Sequence, residues 1–111
     1  MIEATVLNYL NNKLDVPVYM ERPEQDSGEY VVIEKTSSGR TDHINRATFA
    51  IQSFGNTLYR AAELNEKVKE AMDDMIILPE ISRSSLNSDY NFTDTAKKRY
   101  RYQAVYDITH Y

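Results

Sequence analysis

The 111-residue chain contains no cysteine and no tryptophan. Without thiols there can be no disulfide, no thiolate nucleophile and no cysteine-ligated zinc, so the fold must rest on packing alone. Glycine is scarce: Gly28, Gly39 and Gly55 stand singly. That excludes the glycine-rich loops whose backbone amides approach a phosphate. The two histidines, His43 and His110, belong to no recognisable motif. Nucleophilic catalysis needs a nucleophile, a base and an orienting group together, so both read as ordinary surface or sheet residues and no catalytic residue is assigned. Asp73 and Asp74 are adjacent, and neighbouring helix positions point about 100° apart, which keeps them from converging on one metal ion. Neither a metal nor a cofactor is expected. No apolar run approaches the roughly 20 residues that cross a bilayer. Acidic Glu3 stands where a secretory signal would be basic, so the chain is expected to be soluble and unprocessed. Seventeen acidic against thirteen basic side chains give a net charge of −4, which opposes binding to a polyanion unless the basic residues gather on one patch.

What is present reads as one domain over residues 1–111, large enough for a two-layer core and too small for a deep internal cavity. Ile2 to Leu14 places Ile2, Val6, Tyr9, Leu10 and Lys13 on one stripe of a helix. Pro17 turns the chain toward extended geometry, and Val16 to Met20 reads as a short strand. Tyr30, Val31, Val32 and Ile33 open a second strand running to about Thr36, which Ser37, Ser38 and Gly39 interrupt. Ala47 to Phe54 alternates as its hairpin partner, with Arg40 to Arg46 near the tip. Leu58 to Met75 is the clearest element, a helix with Leu58, Ala61, Ala62, Leu64, Val68, Ala71, Met72 and Met75 on one broad face. Ile81 to Leu86 reads as a short strand and Asn87 to Thr95 as a polar loop carrying Tyr90 and Phe92. Lys98 to Tyr111 alternates over an unusual length, about 45 Å if fully extended, and is expected to bend or to protrude toward another partner. The fold class is α/β in the α+β sense: an antiparallel or mixed β-sheet of about four to five strands with two α-helices packed on one face.

Two features are not needed by this core, and both read as interface. One is the hairpin tip with Arg40, Asp42, His43 and Arg46; the other is the Asn87 to Thr95 loop with Asp89, Tyr90, Phe92 and Asp94. Lys97, Lys98, Arg99 and Arg101 interleaved with Tyr100 and Tyr102 form the one basic-aromatic cluster. Sheet proteins that hold single-stranded RNA use such clusters, which keeps a small RNA-binding module as an alternative. On a strand, however, the tyrosines share a face with Ala104 and Ile108, so they are expected to pack on helices while the basic residues face out. A small enzyme or ligand-binding domain ranks below both, because no catalytic constellation is visible.

In joint order, four stretches resemble the tail terminator, or tail completion, proteins of long-tailed bacteriophages. They are Val16-Pro17-Val18 followed by Pro23; Tyr30-Val31-Val32-Ile33 with its polar hairpin; Phe49-Ala50-Ile51-Gln52-Ser53-Phe54 leading into Ala61-Ala62-Glu63-Leu64; and Arg99-Tyr100-Arg101-Tyr102. The resemblance implies a structural subunit, of phage or prophage, that forms a homo-oligomeric ring, commonly a hexamer. The ring caps the head-proximal end of the tail tube, ends tail polymerisation and provides the surface for head attachment. The implied partners are other copies of the chain, the tail tube protein and a head connector or head-completion protein, with neither nucleic-acid sequence readout nor membrane involved. The implied location is the virion, and the host cytoplasm during assembly. Another head–tail connector or head-completion adaptor is the nearest alternative. Ring closure requires heterologous contacts, so Arg40 or Arg46 is a candidate to meet Asp89 or Asp94 of a neighbour.

Overall fold

The helical stripe at the start of the chain forms α1 (Ile2–Lys13), with Val6, Tyr9 and Leu10 buried. Every residue from Met1 to Tyr111 is described in the computed structural model. Asn11, a poor helix former near the end of α1, is held there by a two-way clamp. Its Nδ2 donates to the Val18 carbonyl at 3.3 Å, and its Oδ1 accepts from the Val18 amide at 3.1 Å. That clamp fixes β1 (Val18–Tyr19), shorter than the strand expected from Val16 to Met20, which pairs in parallel with Val31 and Val32 of β2 (Tyr30–Thr41). The remaining pairings, of β2 with β3 (Ile44–Gly55), β3 with β5 (Tyr100–His110) and β5 with β4 (Ile81–Asn91), are antiparallel. The result is a five-stranded mixed sheet in the order β1-β2-β3-β5-β4.

Three expectations are corrected. The hairpin does not break at Ser37–Gly39. A bulge between Lys35 and Ser37 absorbs one residue, β2 continues to Thr41, and the turn is the pair Asp42 and His43 with φ of 51° and 68°. A two-residue loop with both φ positive matches the right-handed twist of its strands, and Asp and His tolerate that region better than most non-glycine residues. Asn87 to Asn91 is strand, not loop: β4 is eleven residues long and carries two bulges, between Ile81 and Arg83 and between Leu86 and Ser88. Finally, β5 neither bends away nor protrudes. It lies between β3, which pairs with it from Tyr100 to His110, and β4, which pairs with it from Tyr102 to His110. The long strand thus finds both partners within its own chain.

The long helix α2 (Leu58–Asp73) begins at Thr57, whose hydroxyl accepts from the Arg60 amide at 3.1 Å, the side-chain cap expected of threonine there. A 3-10 helix (Asp74–Ile77) continues it. Leu64, Val68, Ala71 and Met72 of α2 join α1 and the inward residues Ile33, Phe49, Ile51, Ala104, Tyr106 and Ile108 in one core, so both helices lie on the same face of the sheet. The Tyr9 hydroxyl ties the helices together by donating to the Ala71 carbonyl at 2.6 Å. Tyr106 donates to the Asp73 carboxylate at 2.8 Å. Burial first, and then the Asp73 carboxylate, push its phenol well above the usual range. No helix is long and apolar enough to cross a membrane.

Candidate functional site

Strand alternation sends Tyr100 and Tyr102 toward the helices and Arg99 and Arg101 to the opposite face, which no helix covers. Alternation sends Tyr30 and Val32 of β2 and Phe54 of β3 to that open face too, where they form a second, small cluster. The Tyr30 and Phe54 rings stack at 4.6 Å between centroids. Phe54 is fully buried even though no helix lies over it. Guanidinium groups cover it instead: Arg22, Arg99 and Arg101 lie 5.2, 5.3 and 5.6 Å from its centroid. The expectation that the basic residues simply face out is therefore corrected, because their planar heads form a lid over aromatic rings.

One carboxylate organises this lid. Asp26 accepts from Arg22, from the Tyr30 hydroxyl and, at 2.9 Å, from Arg99 Nε. Partial burial pushes the Asp26 carboxyl upward, but the hydrogen bonds from Tyr30, Arg99 and Arg22 outweigh it and hold the pKa down at about 2. Arg99 further donates to the Gly55 carbonyl at 3.0 Å and the Gly28 carbonyl at 2.6 Å. Arg101 is different. Its Nε donates to the Phe92 carbonyl at 2.7 Å and its head stacks 4.5 Å from the Phe92 centroid, yet its two terminal nitrogens have neither a hydrogen-bond partner nor a carboxylate. Burial, and Arg22 as a second cause, lower its affinity for the proton, although a guanidinium stays charged in proteins. Asp26 is thus the one carboxylate ion-paired with guanidiniums of the lid, those of Arg22 and Arg99, and Arg101 holds the free donors.

The residues singled out from sequence separate into two ends of the sheet. At the hairpin end, Arg40, Asp42 and His43 are exposed, and Arg46 lies on the open face, donating to the Thr41 hydroxyl at 3.2 Å. At the other end, Tyr90 (42 % exposed) and Phe92 (40 %) meet edge to face at 5.9 Å, and the Tyr90 hydroxyl accepts from Gln103. Asp89 and Asp94 have internal roles. Asp89 faces the helices and accepts from Asn65 at 3.2 Å and Lys69 at 3.2 Å. Asp94 accepts from the amides of Ala96 and Lys97 in the turn before β5. Neither is a free carboxylate for a neighbour's arginine. Sequence reasoning missed Arg22, Asp26, Tyr30 and Phe54 as members of the site, because four separate segments supply the cluster. The signal available was the period-2 alternation that sets Arg99 and Arg101 opposite their neighbouring tyrosines.

The concavities elsewhere are open surface grooves. One between the helices is lined by Tyr9, Lys13, Asp15, Lys67, Glu70 and Asp74, and includes neither histidine nor serine. His110 Nδ1 lies 3.2 Å from the Tyr111 carbonyl oxygen. No three carboxylates or histidines come together in a way that could hold a metal ion. We therefore expect the melting temperature to be the same with and without a chelator; a clear fall on chelation would show that carboxylates of this chain converge on a cation. No protein-family model matches the chain, and no curated protein matches it significantly.

Proposed function

We propose that the chain is a ring-forming structural subunit of the tail terminator type, which caps the head-proximal end of a long-tailed phage's tail tube, ends its polymerisation and presents a surface to the head connector. The observation that carries this reading is the uncovered sheet face, where exposed aromatics and a guanidinium with free donors sit on a five-stranded sheet. An assembly subunit needs such a body and such a face, and it needs no converging catalytic groups. The implied partners are other copies of the chain, the tail tube protein and the head connector, in the virion and in the host cytoplasm during assembly. The RNA-module alternative loses support because the tyrosines and arginines of the Arg99–Tyr102 stretch lie on opposite faces of β5. A mass measurement in solution, with and without tail tubes, tests the proposal. Closed rings, with six copies the expected number, support it. Binding to head connectors but never to tubes would favour a head-completion adaptor instead.

Replacing Tyr90 and Phe92 together by serine should leave the fold intact by circular dichroism, since both rings are two-fifths exposed. Self-association should weaken by about thirtyfold per contact, the loss typical of a truncated aromatic anchor, and a ring repeats that loss at every junction. Sedimentation of the variant beside the parent reads the effect. Unaltered assembly would place the ring contacts elsewhere.

A further inference from the structure

The corner where α2 ends is more acidic than its internal contacts require. Glu70, Asp73 and Asp74 crowd the C-terminal end of the helix, which carries no basic residue in its last turn. Carboxylates are unfavourable at that negative pole. Glu70 and Asp74 have no ion-pair partner, and only Asp73 accepts a hydrogen bond, from Tyr106. Beside them Ile76 and Ile77 are 58 % and 75 % exposed. This acidic, apolar corner complements the opposite end of the molecule, where Arg101 offers free terminal nitrogens beside the half-exposed Phe92 and Tyr90 rings, and where Lys97 and Lys98 are exposed.

One molecule cannot bring the two together. The corner precedes Ile81, which pairs with His110 at one end of β5, whereas Arg101 stands at the other end on the opposite face. The nine steps from Arg101 to His110 span about 30 Å at ~3.3 Å each, and Asp73, bonded to Tyr106, lies on the other side of the sheet from Arg101. We infer that copies of this chain join head to tail, the Asp73–Ile77 corner of one copy seating on the Arg101, Phe92 and Tyr90 patch of the next. This rests on the ring reading and names its contact. Each copy has one corner and one patch on opposite sides, so the contact is heterologous and propagates, closing into a ring when its rotation permits. A nucleic acid fits the patch less well. Its bases would need free ring faces, but Phe54 is taken by Tyr30 and the guanidiniums, and Phe92 by Arg101 with Tyr90 at its edge.

The test is sedimentation velocity of the full chain over a concentration series, with circular dichroism as the check on folding. The variants are Arg101→Glu, Asp74→Arg, the pair in one chain, and Ile76→Ser with Ile77→Ser, the last touching only exposed side chains. Each of the two charge reversals and the isoleucine pair should weaken association about thirtyfold or more. The double charge reversal should recover much of that loss, because every junction regains an opposite pair. If the parent closes into rings and Arg101→Glu closes equally well, the ring reading survives and this contact falls. A parent that stays monomeric at every concentration, with and without tail tubes, sinks both. Tight, steeply salt-dependent binding of oligouridine RNA that Arg101→Glu abolishes would assign the patch to nucleic acid and overturn the inference.

Discussion

Val68→Asp should cost at least about 5 kcal/mol at neutral pH, enough to unfold a domain whose whole stability is typically ~5–15 kcal/mol. Val68 is fully buried in the middle of α2, in the same core cluster as Leu64 and Met72 of the helix and Phe49, Ile51 and Ala104 of the sheet. The substitution forfeits the burial of the valine, about 1.5–3 kcal/mol. It also places a carboxyl in an apolar cluster. A desolvated carboxyl takes its proton back, with a pKa raised by roughly 3–5 units, each worth about 1.4 kcal/mol. The sign of the pH dependence follows. A carboxyl whose folded pKa lies above its unfolded one is least harmful below the unfolded value, near pH 4. Its cost grows as the pH rises toward the folded value, so the gap between variant and parent should widen from acid to neutral conditions. Urea titrations at several pH values measure this. Lys67→Asp, one residue earlier at an exposed position, introduces the same carboxylate in water and should move the midpoint far less. Equal midpoints for Val68→Asp and the parent would mean that this face of α2 does not pack on the sheet.

Elements with an uninterrupted period were legible before the structure, and those without one were not. The broad apolar face of α2 and the strict alternation of β5 each reflect a single buried side, so hydrophobic spacing located both. β4 is misread beyond Leu86 for a physical reason. It is an edge strand with two bulges, each of which resets the alternation, and two positions facing the helices are polar: Ser84 donates to the Met72 carbonyl at 2.7 Å, and Asp89 accepts from Lys69. Hydrogen bonds satisfy these positions in place of apolar burial, so the stretch has the composition of a loop. The second half of β2 is hidden similarly, because Ser37 to Thr41 is exposed and its turn uses Asp42 and His43 where the commonest signal would contain glycine. Of the candidate site, Tyr90 and Phe92 were visible as aromatics lacking local cover. The cluster beside them was not, since Arg22 and Asp26 meet Phe54 and Arg99 only once β3 and β5 pair. In sequence Asp89 and Asp94 read as candidates for a neighbour's arginine, and only the folded chain shows what each of them binds.

Gly55→Ala should destabilise the protein by about 3 kcal/mol or more, although it adds one methyl group. In sequence, Gly55 reads only as the stop of a strand. In the structure it is the buried last residue of β3, over which the start of α2 crosses. A β-carbon there would lie 2.4 Å from the Ala61 amide nitrogen and 2.9 Å from the Ala61 α-carbon and the Arg60 carbonyl carbon. Carbon atoms pack best at about 3.5–4.0 Å, and the obstacle is backbone, which has no rotamer to retreat into. Nor can the strand retreat easily, because Gly55 pairs with Tyr100 and its carbonyl accepts from Arg99. The helix must therefore move away from the sheet, loosening the contacts of Ala61 and Leu64 beneath it. The other two glycines isolate this cause. At Gly28 a β-carbon meets nothing within 4 Å, but φ is +79°, so alanine there strains only the backbone, at roughly 1 kcal/mol. At Gly39 there is open space and no positive φ, and alanine should be neutral or slightly stabilising. Thermal unfolding of the three alanine variants should therefore rank Gly55 far below Gly28, and Gly28 below Gly39. If Gly55→Ala melts with the parent, the start of α2 does not lie against the end of β3.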